Sequence, residues 1–305
     1  MNYIKVSEAA EKWGLSSRRV RLLCSQNRID GVIKKGKLYM IPENTPKPID
    51  ARTLKGIKIS DGLSPLLHRI DALKVELDSK RPLTAGEAER LREQFMVDFT
   101  YNSNAIEGNT LTLQETSMVL EGMTIDQKPL KDHLEVVGHR DAFLYVEDVA
   151  KDTKLSESVI KNIHSLVLMN RPDDKGAYRK IPVTIMGAYT KPVQPYMIET
   201  RMSELIAENE KRKKKMHAIE RIARFHLEFE GIHPFIDGNG RTGRLLLNLD
   251  LIQNGYPAIN VKFTDRKKYY AAFDEFYKNN NADVMITLVA DYVIERLEQY
   301  LEILD

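Results

Sequence analysis

Apolar and polar positions recur with a helical period over most of this chain, and the places where that period breaks divide it into parts. Val6-Ser7-Glu8-Ala9-Ala10-Glu11-Lys12-Trp13 reads as a short amphipathic helix capped by Ser7. Ser17-Arg18-Arg19-Val20-Arg21-Leu22-Leu23-Cys24 reads as a second helix, with Gly14-Leu15-Ser16 as the turn between the two. Residues 33–41 then predict a basic β-hairpin around Gly36. Pro42, Pro46 and Pro48 discourage regular structure, so residues 43–63 are expected to form a linker. From about Ser64 onward the sequence is rich in helix. One helix is expected over about 90–107 with Gly108 placed to end it, and another starts at the capping box Thr112-Leu113-Gln114-Glu115 and stops at Gly122. The run Leu245-Leu246-Leu247-Asn248-Leu249 predicts a central helix packed on several sides. A different period holds over 183–195. There Val183-Thr184-Ile185-Met186-Gly187 and Lys191-Pro192-Val193-Gln194-Pro195 alternate β-branched positions between Gly and Pro, and predict a short β-hairpin.

The densest chemistry lies in Gly231-Ile232-His233-Pro234-Phe235-Ile236-Asp237-Gly238-Asn239-Gly240-Arg241-Thr242-Gly243-Arg244. Gly238 and Gly240 let the backbone turn sharply and present its N–H groups to an anion, and the helix that follows points its positive end at the same place. Asp237 adds one carboxylate beside that cradle, and a single carboxylate plus substrate phosphates is the usual way to hold Mg²⁺. Arg241 and Arg244 stand three apart in the first helical turn, on one face, where both can neutralise outer phosphates. His233 has the pKa suited to taking a proton from a hydroxyl at neutral pH. Singly, a His beside Pro, a Gly-Asn-Gly turn or two helix arginines are ordinary structural features. Together and in this order they describe a site for handling a polyphosphate.

At these positions the chain resembles the Fic family, whose signature His-Pro-Phe-x-(Asp/Glu)-Gly-Asn-Gly-Arg-x-x-Arg is matched at every fixed position from His233 to Arg244. The resemblance implies a mainly α fold over 64–305, a compact helical bundle with a short β-hairpin flap. It also implies a reaction, transfer of AMP from Mg-ATP to a Ser, Thr or Tyr hydroxyl of a target protein. On that pattern His233 deprotonates the attacking hydroxyl and Asp237 holds Mg²⁺. Gly238, Asn239 and Gly240 bind the α- and β-phosphates, Arg241 and Arg244 the outer ones, and Thr242 and Gly243 belong to the same nucleotide-binding stretch. The segment Thr100-Tyr101-Asn102-Ser103-Asn104-Ala105-Ile106-Glu107-Gly108-Asn109 resembles the Ser/Thr-x-x-x-Glu-Gly inhibitory motif of autoinhibited members, with Ser103, Glu107 and Gly108 on the matching positions. There the glutamate pairs with the second motif arginine, here Arg244, and keeps the γ-phosphate from seating. The hairpin at 183–195, which follows Gly176-Ala177-Tyr178-Arg179, resembles the family's flap, which pairs main chain to main chain with the target. Ile185, Met186 and Gly187 then border the nucleotide. Tyr269 matches a position that lines the nucleotide pocket, whereas Tyr277 stands where some relatives place an adenine-contacting Asn, which leaves base preference open. Two other functions fit the same residues: a hydrolase that removes AMP, with Glu107 orienting a water, and a transcription regulator that only senses nucleotide.

Residues 1–42 resemble the winged helix-turn-helix domains of excisionase and MerR type. In these the second helix enters the major groove, which would make Arg18, Arg19 and Arg21 the DNA contacts and the hairpin a wing. The charge is distributed accordingly. Residues 1–50 hold ten Lys/Arg against five acids, a net +5, which leaves −3 for the rest of a chain whose total is +2. DNA is the expected partner of residues 1–42, with a protein as the alternative since small helix-turn-helix units also serve as protein-binding modules, and an unidentified target protein is that of 64–305. No run is long or apolar enough to span a bilayer and the N-terminus lacks a signal-peptide apolar region, so no membrane partner is expected. Cys24 is the sole cysteine, which excludes a disulfide within the monomer and points to a reducing, cytoplasmic setting. His139, His164 and His226 lack ligand spacing and are expected to be structural, and Lys211 to Lys215 to be a solvated helix end or loop. The family resemblance also implies a homo-oligomer.

Overall fold

A computed structural model describes residues 3–25, 29, 31–36, 38–43, 45, 62–80, 85–185 and 187–304. Met186, Arg28, Lys37 and most of the expected linker lie outside these. The chain forms two compact units, Met1–Lys55 and Gly56–Asp305.

In the first unit, β1 (Tyr3–Lys5) runs directly into α1 (Val6–Trp13), and α2 (Ser17–Ser25) follows after a tight turn. Gly14, with φ +62°, makes that turn: its N–H donates to Glu11 O at 3.2 Å and the Leu15 N–H to Ala10 O at 2.9 Å. β2 (Ile33–Lys35) and β3 (Leu38–Pro42) make the expected hairpin, and β1 pairs antiparallel with the other edge of β3, giving the order β1-β3-β2. Val6, Ala9, Trp13, Val20, Leu23 and Ile41 close the core beneath the sheet. Ser7 is not the cap of α1. The cap lies two residues earlier than its sequence signal, because β1 leads straight into the helix and Lys5 takes the capping position, its N–H donating to the Glu8 carboxylate at 2.7 Å. Arg18 and Arg21 are exposed on α2 and Arg19 is half-buried.

The second unit is helical: α3 (Ser64–Ser79), α4 (Ala85–Ile106), α5 (Leu113–Leu120), α6 (Leu130–Asp152), α7 (Glu157–Val167), α8 (Ile198–Arg212), α9 (Ala218–Ile232), α10 (Asn239–Gln253), α11 (Arg266–Asn279) and α12 (Asp283–Leu304). The Leu-rich run lies in α10, which is buried on almost every side. Leu245, Leu246 and Leu249 face a core built with α6, α7, α8 and the Phe225/Phe229 side of α9. Leu247 and Leu251 face a second core shared with α3, α11 and α12. Each such leucine contributes roughly 1.5–3 kcal/mol by burial, so both cores fix the direction of the α10 N-terminus. Polar residues pin it further. Arg221 on α9 is fully buried and grips Asp250 on α10 through both of its terminal nitrogens, NH2 donating to Oδ1 at 2.7 Å, while its NH1 also donates to Asn209 Oδ1 at 3.0 Å. The Thr112–Glu115 capping box is present at α5, and Gly122 follows its end with φ +92°.

Residues 183–195 do not form the expected hairpin. Among the described residues no strand pairing crosses this segment; it carries a turn at Gly187 (φ +78°), closed by the Ala188 N–H donating to Ile185 O at 3.2 Å. The alternation marks which side chains turn inward, since Val183 and Ile185 are half-buried while Thr184 is exposed. It does not supply a second strand. The two legs are tied instead by Arg179, which donates from NH1 to Ile181 O at 2.9 Å and from NH2 to Val193 O at 2.6 Å.

Candidate active site

α9 ends where the chain swings into the left-handed region at His233 (φ 50°, ψ 61°), a conformation uncommon for a side chain of this size. Phe235 anchors the loop that follows. It is fully buried, with its ring stacked on His164 at 3.6 Å between centroids and 6° between planes. His164 accepts the Gly176 N–H at Nδ1 (2.9 Å), so its Nε2–H donates to Asp237 O at 3.0 Å. Burial holds this imidazole neutral by lowering its pKa to about 4. His139 and His226 are likewise buried, His139 hydrogen-bonded to Thr100 at 3.2 Å and His226 to Tyr269 at 2.6 Å. Asn239 closes the loop from below, accepting the Phe235 N–H and donating to Phe235 O, both at 2.9 Å. Gly238, with φ +75°, then turns the chain into α10, and the unpaired N–H groups of that helix's first turn face the space in front of it.

That space is a cavity of about 310 Å³. His233, Gly240, Arg244, Tyr269, Ile185, Gly187 and Glu107 all line it, so residues far apart in the sequence converge there. Glu230, Arg266, Tyr270, Phe273 and Asp274 also line it and were not singled out from the sequence, and Tyr277 does so beside Phe273. The Tyr277 hydroxyl donates to Leu227 O, which fixes its ring against Gly231. Gly238, Asn239, Thr242, Gly243, Ser103, Gly108 and Asp237 support or flank the cavity without lining it.

The two motif arginines part company. Arg244 is 2% exposed; its Nε donates to Ser103 Oγ at 3.0 Å, and its NH2 to Ser103 O at 2.7 Å and Glu107 Oε1 at 2.8 Å. Burial works against its charge, yet the Glu107 carboxylate and the Tyr269 hydroxyl outweigh that and raise its pKa. Arg241, equally buried, turns away from the cavity: NH1 lies 3.1 Å from Glu135 Oε1 and NH2 3.6 Å from Asp237 Oδ1. Gly108, at φ +95°, lets the chain leave α4 so that Glu107 points back over α10. A methyl group built on Gly240 would collide with the Glu107 carboxylate, so that carboxylate sits directly over the N-terminal turn where an anion would bind. The turn is latched behind by Asn109, whose Nδ2 donates to Glu135 Oε2 at 3.0 Å, and by Thr110, whose hydroxyl donates to Asp132 at 2.6 Å.

Burial, and then the charge of Arg179, lower the His233 pKa to about 4, so the ring is neutral and able to accept a proton. Arg179 holds it in place, donating from Nε to His233 O at 2.8 Å and from its main-chain N–H to Pro234 O at 3.0 Å. Glu230 shifts the other way, to about 8, through burial and the nearby Glu107 charge. Asp237 is more than a third exposed; its Oδ1 accepts the Gly238 N–H at 2.6 Å, and Oδ2 has Arg171 at 3.8 Å. No group of three or more metal-ligating side chains occurs among the described residues. An ion at this lone carboxylate would take its other ligands from phosphate oxygens and water, which suits Mg²⁺.

Residues 154–251 match the model of the Fic/DOC family, and this stretch spans α7, the 183–195 segment and the whole loop from His233 to Arg244. That stretch of the chain is thus similar to a Fic/DOC domain. It is 32% identical over 272 residues to the protein adenylyltransferase Fic of Nematostella vectensis, covering 84% of this chain and 62% of that protein. With the protein adenylyltransferase fic-1 of Caenorhabditis briggsae it shares 36% identity over 187 residues, 60% of this chain and 36% of the other. The chain therefore spans less than two thirds of the length of these relatives. Among solved structures, a Fic-domain signaling protein of Bacteroides thetaiotaomicron superposes with a TM-score of 0.71 at 27% identity, covering 77% of this chain and 96% of that one. Fic-1 of Caenorhabditis elegans gives 0.70 at 28% identity, covering 78% and 72%.

Proposed function

We propose that this Fic/DOC-like domain is a protein adenylyltransferase that moves AMP from Mg-ATP to a Ser, Thr or Tyr hydroxyl of a target protein, and that Glu107 restrains it. One observation carries the reading. A neutral His233, the α10 N-terminus and Arg244 converge on a single cavity, and a carboxylate from outside the motif occupies the anion position in it.

In this reading the target hydroxyl gives its proton to His233 and its oxygen attacks the α-phosphorus, while the bond to the pyrophosphate oxygen breaks. The N–H groups at Asn239 and Gly240 hold phosphate oxygens, while that of Gly238 is taken by Asp237 Oδ1, and Arg244 neutralises the outer charge once Glu107 withdraws. Arg241 serves from behind, steadying Asp237 and the Glu135 latch. Mg²⁺ held by Asp237 would supply charge neutralisation at the phosphates. Main-chain groups of 181–185, which pair with no strand among the described residues, suit an extended segment of the target. Tyr269, Phe273 and Tyr277 offer an aromatic wall for the base, and Ile185 faces the same cavity. The test is label transfer with ATP labelled at the α- or the γ-phosphate, using a cell extract as the source of targets. Incorporation from the α-label only, lost in His233→Ala, is expected. Absence of any nucleotide adduct, even from Glu107→Gly, would overturn the assignment.

For residues 1–42 we propose DNA binding, supported by the exposed Arg18 and Arg21 on α2 and by Lys34 and Lys35 on the adjoining hairpin. Affinity should fall steeply with salt, and Arg18→Ala with Arg21→Ala should flatten that slope by about two. Binding indifferent to salt would count against it.

A further inference from the structure

The C-terminal turn of α9 presents two ionisable side chains to the cavity, His233 and Glu230, and the reaction above uses only the first. They are three positions apart, so they leave the same side of the helix, and Glu230 Oε2 lies 3.8 Å from His233 Nδ1. His233 Nδ1 looks toward the Glu230 main-chain carbonyl without a well-formed hydrogen bond to it, and Glu230 Oε1 has no hydrogen-bond partner among the described residues. Glu230 is 9% exposed in a helix whose neighbouring inward residues are Phe225, Phe229 and Ile232. An apolar side chain there would stabilise the fold, whereas a buried, half-satisfied carboxyl costs stability. Costly ionisable groups facing a cavity mark functional positions.

We propose that Glu230 is a positioning residue for His233: its carboxyl takes the ring's Nδ1–H and thereby leaves Nε2 as the proton acceptor toward the cavity. The proposal rests on the reading of His233 as the base. The hydroxyl proton then passes to Nε2, Nδ1 keeps its own, and the carboxylate balances the imidazolium that forms. The groups facing Glu230 are Arg244 on α10, Glu107 beyond α4, Tyr269 and Tyr277 on α11, and His226 and His233 on either side of it in the chain. Burial and the Glu107 charge together keep this carboxyl protonated up to about pH 8. Withdrawal of Glu107 removes the like charge and favours the carboxylate. The restraint therefore acts twice, once on Arg244 and once, through Glu230, on the base.

The experiment compares Glu107→Gly with Glu107→Gly/Glu230→Gln and Glu107→Gly/Glu230→Leu, measuring kcat and the KM for ATP from pH 5.5 to 9.5. Glutamine matches the shape of the protonated side chain but cannot ionise, so the fold is expected to survive. Both double variants should lose about 10- to 100-fold in kcat with KM changed less than about twofold, and Glu230→Gln should lose the alkaline rise. The ¹⁵N spectrum of His233 in Glu107→Gly should show the proton on Nδ1. Parent-like kcat and pH profile, a loss confined to KM, or a proton on Nε2 would each overturn the proposal. If His233→Ala is inactive while Glu230→Gln matches its parent, only the role of Glu230 fails; if His233→Ala remains active, the reading of the base itself fails.

Discussion

Replacing Glu107 with glycine removes the carboxylate that pairs with Arg244, a guanidinium otherwise sealed in the protein. Breaking a fully buried pair costs about 3–5 kcal/mol. Two features reduce that here: the Glu107 side chain is 32% exposed, and Arg244 keeps its bonds to Ser103 Oγ and O. About 1–3 kcal/mol remains. For a helical unit of this size that lowers Tm by about 3–10 °C. The same interaction is what the outer phosphates of ATP must displace, so its removal should raise transfer by about 10- to 100-fold at limiting ATP, one factor of ten for each 1.4 kcal/mol. Two measurements follow the two consequences: thermal melting with and without Mg-ATP, and label incorporation from α-labelled ATP. The variant should melt lower without nucleotide and gain more from Mg-ATP than the parent does. A folded variant that incorporates no more label than the parent, or whose melting is unchanged, would refute the argument that this pair restrains the site.

Other consequences are equally direct. Asn239→Ala strands the buried N–H and C=O of Phe235 and should cost about 2–4 kcal/mol, read by urea denaturation; a loss below 1 kcal/mol would mean that the loop is held elsewhere. Arg179→Lys cannot reach Ile181 O, Val193 O and His233 O together, so target modification should fall about tenfold while ATP binding holds; equal losses in both would contradict this division. His164, His226 and His233 have folded pKa values of about 4, 3 and 4, below the 6.5 of the unfolded chain. The unfolded state therefore binds more protons below pH 6.5, and stability that is complete above that pH drains away as pH falls toward 4, by up to about 3 kcal/mol per histidine. Glu230 acts in the opposite sense, withdrawing stability as pH rises from 4.5 to about 8. Calorimetry at pH 5.5 should show net proton uptake on unfolding, and its absence would exclude the histidine contribution.

The loop from His233 to Arg244 was legible because its chemistry is local: glycines, carboxylate and base act within twelve consecutive positions. The Glu107 contact was legible at one remove, since Gly108 marks where α4 must end and the motif names the partner. Glu135, Arg179 and Glu230 were not. Each acts through contacts that exist only after helices remote in the sequence have packed; Glu135 meets Arg241 across 106 positions, and no local pattern encodes that meeting. The 183–195 segment shows the limit of periodicity, which tells which side chains turn inward and says nothing about a second strand. Arg241 and Arg244 carry the same lesson into the site. Residues three apart are about 60° apart around a helix, close enough to count as one face on a helix bathed by solvent. α10 is enclosed on nearly all sides, and there the same 60° separates a cavity from a helix packed behind it, so one arginine meets Glu107 and the other Glu135. The spacing rule measures angle along one helix, and the neighbours decide what that angle means.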